Sequence, residues 1–265
     1  MENNQALEAS QNEQTPSANQ AEENKLSSRP KLTSFFSLLE NSINDWWRNL
    51  RKFVEIYLWG MYYSLIPLGV GLVVIFLTTV IDSALVKVAL ATIAVIAGGF
   101  MIFFFMQAYS GMFVFLKKNF VGSAKESFKE ARPLVWAYLA LSITVTIFVI
   151  FWSLLLIIPG IIFSIYYSLA VYAFFFEDKK GMAAIKRSKA LVKGYWWPVA
   201  GRVLGFSLIL WLFMMLISIP GIMAVENSWF WNVWNIVVQI ISYLIGPMAM
   251  LFSYTIYRDL VNIKK

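Results

Sequence analysis

The sequence predicts an all-α integral membrane protein: six transmembrane helices in two-span repeat units, with amphipathic cytoplasmic helices between them. Three observations predict it. The chain of 265 residues is 59% apolar and 14% charged, against about 45–50% and about 25% in soluble domains. Its apolar residues gather into six runs long enough to cross a bilayer, which takes about 20 residues. Its basic residues gather between alternate runs, and of 22 Lys and Arg only Lys87 falls on the other side.

Residues 1–33 are rich in Asn, Gln, Glu and Ser and almost free of large apolar side chains. Such a segment cannot bury enough surface to offset its ordering entropy, so a disordered cytoplasmic tail is expected. It has no apolar stretch of the kind a secretory signal needs. The six-span membrane domain then occupies 34–265. It opens on an amphipathic helix over about Ser34–Val54, with Phe36, Leu39, Ile43, Trp46, Trp47, Leu50 and Phe53 on one face. That face can pack on the protein's own cytoplasmic side or lie in the headgroup layer.

The spans are expected at about 57–81, 88–113, 134–157, 161–176, 197–217 and 230–254. Pro67 should kink the first. Gly98 and Gly99 in the second permit close helix approach. Ser123 and Glu126 fit a capping box that starts a short helix ahead of the third span. Pro159-Gly160 and Pro220-Gly221 are expected to form turns that end the third and fifth spans. Between spans four and five lies a helix over Met182–Lys193. Ala184, Ile185, Ser188, Leu191 and Val192 share one face of it, Lys186, Lys189 and Lys193 lie opposite, and Arg187 flanks them. Gly194 is placed to cap it, and Tyr195, Trp196 and Trp197 mark a membrane–water interface.

Basic residues flank the cytoplasmic ends of membrane spans, so this charge pattern puts both termini in the cytoplasm. It also places the net charge of +7 in juxtamembrane clusters, which answers to anionic lipid rather than to nucleic acid. The membrane-surface candidates are Lys125, Lys129 and Arg132 before the third span and Lys186, Arg187, Lys189, Lys193, Trp196 and Trp197 before the fifth.

The two groups belong to an internal repeat with a constant offset of 61 residues. Lys125 meets Lys186, Ser127 meets Ser188, Arg132 meets Lys193, Trp136 meets Trp197, and Ile158-Pro159-Gly160-Ile161 meets Ile219-Pro220-Gly221-Ile222. The N-terminal third, with its Trp pair and two spans, reads as a degraded further copy. Units that enter the membrane in the same direction are related by an axis along its normal.

Chemistry is scarce. With neither histidine nor cysteine, the commonest general base, thiol nucleophiles and thiolate metal sites are excluded. Asp82, Glu177, Asp178 and Glu226 are the candidates for acid–base work, and each falls at a predicted span end. No catalytic residue, cofactor or metal is expected.

Ile158-Pro159-Gly160, Glu177-Asp178, Ala184, Ser188, Lys193-Gly194 and the closing Tyr257-Arg258-Asp259-Leu260 carry a resemblance to a bacterial six-span family. The family includes the membrane domain attached to some glycerophosphoryl diester phosphodiesterases, together with stand-alone members. The resemblance spans about residues 55–262 and implies six helices in a bacterial cytoplasmic (inner) membrane. It implies no enzyme activity, because the fused catalytic module is a separate soluble domain that relies on histidines and metal-binding acids, and this chain has no histidine. The expectation is a non-catalytic membrane protein whose basic cytoplasmic face organises lipids or a partner. Anionic headgroups are the first candidate partner and another membrane protein the second. A small-solute or lipid transporter is the alternative.

Overall fold

The computed structural model describes residues 32–224, 226 and 228–264. The tail expected over 1–33 lies outside them, except for Leu32 and Thr33. From Ser34 onward the described residues form helices joined by short links, with no strand among them. Its elements are α1 (Phe35–Val80), α2 (Ala84–Lys117), α3 (Ala124–Ala131), a 3-10 turn (Arg132–Leu134), α4 (Val135–Leu155), α5 (Ile157–Tyr167), α6 (Ala170–Phe176), α7 (Met182–Val192), α8 (Trp196–Met223) and α9 (Trp229–Ile263). Six helical stretches are long and apolar enough to cross a membrane: α1, α2, α3 to α4, α5 to α6, α8 and α9. The chain is a six-span, all-α membrane protein.

The spans close into a ring. Each contacts the next in chain order, and α9 returns to α1. Since six spans alternate in direction, α1 starts and α9 ends at the same end of the ring. That end carries α3, α7 and nearly all the basic residues, and is called the basic end here. The short links at 81–83 and at Leu156, with Ala224, Glu226 and Ser228 between α8 and α9, form the opposite end.

The first structural difference from expectation lies in α1. The amphipathic segment and the first span form one helix of 46 residues, which runs through Pro67. Ser34 caps it by accepting a hydrogen bond from the Ser37 amide at 3.2 Å. Phe35 lies edge-on to Phe252 of α9 and beside Gly205 of α8, whereas Phe53 lies edge-on to Phe115 of α2. These two positions are about 27 Å apart along a helix, so this third of α1 passes across the ring from α8 and α9 to α2. Leu38 and Ser42 face inward, and Phe36 and Trp47 stay exposed. The helix therefore packs on the protein and also presents apolar side chains outward.

α2 ends in a Schellman turn. The Phe120 amide donates to the Phe115 carbonyl at 3.1 Å and the Asn119 amide to Leu116 at 2.9 Å, with Asn119 at φ +53°. The Phe120 ring then folds back onto Phe115 and Phe53, the hydrophobic contact that this motif recruits. Ser123 and Glu126 form the expected capping box at the start of α3.

The Pro-Gly pairs do not make the turns expected of them. The third and fourth spans are separated by Leu156 in extended conformation, and Pro159-Gly160 already lie in the first turn of α5. Proline is tolerated there because first-turn amides have no intrahelical acceptor. Pro220-Gly221 lie inside α8, which continues to Met223. What the two pairs share is the glycine's contact. A Cβ on Gly160 would sit 2.1 Å from Ser153 Oγ and 2.9 Å from its Cα, and one on Gly221 would sit 2.9 Å from Trp234 Cδ1. Each glycine lets the two arms of its hairpin touch, so the shared motif encodes close approach. Gly98 and Gly99 do the reverse of what was expected, since neither has a neighbour that a Cβ would meet within 4 Å.

Glycine-mediated contact leads to opposite expectations for two substitutions. Gly160→Ala should destabilise the detergent-solubilised protein by about 1–3 kcal/mol through overpacking. Gly99→Ala should be neutral or stabilising by up to about 1 kcal/mol through helix propensity. Thermal unfolding of the two variants side by side checks the signs.

Candidate functional site

The basic end is the candidate site, and α7 is its centre. The five residues read from the sequence as its inner face, Ala184, Ile185, Ser188, Leu191 and Val192, are the five that are buried. Lys186, Lys189 and Lys193 are exposed and Arg187 is half-buried. Gly194 follows at φ +88°, a backbone that glycine adopts without a Cβ clash.

Ser188 does more than pack. The fourth span is broken between α5 and α6, and Ser188 serves the break. Its hydroxyl donates to the Tyr166 carbonyl at 2.7 Å and accepts from the Leu169 amide at 3.2 Å. A continuous span was expected here, and nothing in an apolar stretch such as Ser164–Phe176 marks the interruption. Ser127, its counterpart at the offset of 61, is equally buried, but its hydroxyl has no hydrogen-bond partner among the described residues. The two serines thus share burial and differ in bonding.

Three elements are clasped beside α7. Arg187 Nε donates to both carboxylate oxygens of Glu177, at 2.9 and 2.7 Å. The Tyr257 hydroxyl of α9 donates to Glu177 Oε1 at 3.0 Å. Asp178, at φ +53°, accepts from Lys117 Nζ of α2 at 2.9 Å. Lys264 Nζ donates to the carbonyls of Lys193, at 2.7 Å, and of Ala190. Burial, with Arg187 and Lys193 nearby, lowers the Lys264 pKa below its ordinary value. The sequence singled out Glu177 and Tyr257 but did not pair them. Eighty positions separate them, and the only trace was a charged group placed directly after an apolar run.

The clasp consumes the acids and leaves Lys186 and Lys189 of α7, and Lys193 just after it, without a carboxylate. Among the described residues Lys186, Lys189 and Lys193 form no ion pair. Lys189 lies over the rings of Phe163 and Tyr166, at 5.5 and 6.0 Å from their centroids, and Lys186 and Lys193 extend from the same exposed face. Trp196 donates to the Ile162 carbonyl at 3.2 Å, while Trp197 is 79% exposed. The pair thus divides between anchoring α8 to α5 and meeting the surroundings.

The other basic group is arranged differently. Lys125 lies 4.9 Å from the centroid of the Trp59 ring, and Lys129 and Arg132 are exposed without an ion pair. Glu126 is committed to its capping box and Glu130 to Lys118 at 2.7 Å. The candidate acids do not gather into one site. Glu177 and Asp178 stand at the basic end, whereas Asp82, paired with Lys87 at 3.1 Å, and exposed Glu226 stand in links at the opposite end.

No family model, curated protein or solved structure compared with the chain matched it.

Loss of the clasp should show as graded instability. Tyr257→Phe removes one hydrogen bond to Glu177 and should cost about 1 kcal/mol, and Arg187→Gln should cost about 1.5–3 kcal/mol because a charged partner is lost. Equilibrium unfolding in detergent, with Glu177→Gln in the Arg187→Gln background to form a double-mutant cycle, measures the coupling.

Proposed function

We propose that the chain is a non-catalytic module of the bacterial cytoplasmic membrane whose cytoplasmic face engages anionic lipid headgroups through α7. The observation that carries this reading is the row Lys186, Lys189 and Lys193. These cations share one exposed face, and the neighbouring acids Glu177 and Asp178 are held by Arg187 and Lys117. Each such cation near an anionic leaflet contributes on the order of 1 kcal/mol. Trp197, exposed beside them, is a side-chain type that settles at headgroup depth.

The orientation rests on the positive-inside rule, which puts the basic end in the cytoplasm. The bacterial assignment rests on the resemblance of residues 55–262. The non-catalytic reading is supported by the lack of histidine and by the structural bonds that occupy Glu177, Asp178 and Asp82. Transport through the bundle is disfavoured by the aromatic packing at its basic end. Phe113 stacks on Phe175 at 4.6 Å and contacts Tyr172, and all three are buried.

The cysteine-free sequence makes orientation directly measurable. In bacterial cells Ser83→Cys should react with a membrane-impermeant maleimide and Lys180→Cys should react only after lysis. The reverse pattern would overturn the topology. For the lipid role, Lys186, Lys189 and Lys193 are replaced together by Gln in protein reconstituted into nanodiscs. Enrichment of phosphatidylglycerol over phosphatidylcholine around the protein should fall, and the wild-type enrichment should weaken with salt. Equal, salt-independent enrichment in both proteins would reject the α7 surface as a headgroup site.

A further inference from the structure

We propose that a groove between α2 and α4 is a binding site for one anionic phospholipid, its phosphate at Arg132 and an acyl chain along Gly99, Phe100 and Phe103. This deepens the reading of the basic end as an anionic-lipid surface by adding a discrete site at its margin, away from α7.

The groove has a volume of about 720 Å³ and is lined by Ile96, Gly99, Phe100 and Phe103 of α2, by Trp136 of α4 and by Arg132. That size lies within the roughly 300–1,000 Å³ of sites that hold small molecules. The wall is aliphatic and aromatic, and its one charged group is the guanidinium. An occupant that matches needs an apolar body and an anionic end, which is the chemistry of a phospholipid in the cytoplasmic leaflet. Planar guanidinium suits a phosphate because its donors can engage two oxygens at once.

Arg132 is available for this role. It is exposed and forms no ion pair among the described residues, and both acids of its own short helix are committed, Glu126 to Ser123 and Glu130 to Lys118. Gly99 supplies the room. A Cβ there would meet no atom within 4 Å, so its lack of a side chain serves no helix contact and instead leaves the groove open. The hollow on the other flank of α2, between Tyr63, Pro67 and Phe100, is about 390 Å³ and has no charged residue in its wall. It offers nothing to hold a headgroup.

The test is native mass spectrometry of the full chain in mild detergent, titrated with phosphatidylglycerol or phosphatidylcholine. Wild type should hold one phosphatidylglycerol in preference to phosphatidylcholine. Arg132→Gln should weaken that first binding about fivefold, the ratio expected for one cation near an anionic group, and Arg132→Lys should restore part of it. Gly99→Leu should remove it by filling the groove, with thermal unfolding as the check on folding. Brominated-chain phosphatidylglycerol provides a measurement without the bulky variant, because it should quench the emission component that Trp136→Phe deletes.

Retention by Gly99→Leu at the wild-type level, or no quenching of the Trp136 component, overturns the groove. A wild type that does not discriminate between the two lipids overturns the headgroup role of Arg132. If only the Lys186, Lys189 and Lys193 replacement lowers binding, the groove falls and the α7 surface stands. If that replacement is silent and Arg132→Gln and Gly99→Leu are not, the groove stands and the α7 surface falls.

Discussion

The structure depends on an aromatic junction at one end of the ring. Phe113 of α2 stacks face to face with Phe175 of α6 at 4.6 Å, and Tyr138 of α4 and Tyr172 of α6 complete the cluster. The Tyr172 hydroxyl then reaches the Met250 carbonyl of α9 at 2.8 Å. Helices in lipid gain little from hydrophobic burial, since the lipid is as apolar as they are. What holds them is close packing and interhelical hydrogen bonds, and aromatic pairs add about 0.5–1.5 kcal/mol each through their geometry. Buried residues accordingly cluster at the basic end of α2, α4, α6 and α9. Toward the opposite end the second and third hairpins bring their arms into contact at Gly160 and Gly221.

That junction explains how the charged surface is built. Apolar and aromatic side chains fix the ends of α2, α6 and α9 beside one another, and the polar groups just beyond them then meet: Lys117 with Asp178, and Glu177 with Arg187 and Tyr257. Because these pairs satisfy the local acids, the remaining cations of α7 stay uncompensated on the outside. The same logic operates at α3, where capping and Lys118 take both carboxylates and leave Arg132 beside an apolar hollow.

Much of this was legible in the chain. Apolar run length fixes the six spans, and helical spacing identifies the buried face of α7 residue by residue. The capping box at Ser123 and the left-handed glycine at 194 follow from local rules. Other features were hidden for physical reasons. Pro-Gly reads as a turn by local chemistry, yet a proline in the first turn of α5 needs no turn at all, and a glycine's purpose is set by what faces it. Ser153 and Trp234 are the facing atoms, and no local rule names them. The break in the fourth span depends on a hydroxyl 19 residues away from Leu169, and the openness of the groove depends on what Gly99 fails to touch.

Ring closure also has a consequence for biogenesis. Trp46 Nε1 donates to the Leu244 carbonyl at 2.8 Å across 198 positions of sequence, and Phe35 finds Phe252 in the same way. During synthesis the N-terminal third of α1 emerges well before α9, whose contact with Trp46 lies 198 positions downstream. Until then that stretch lacks the contacts that α9 supplies at Phe35 and Trp46, and the nascent ring is a chain of hairpins with an open seam. Assembly of this protein is therefore a seam-closing problem, completed only when the sixth span enters the bilayer.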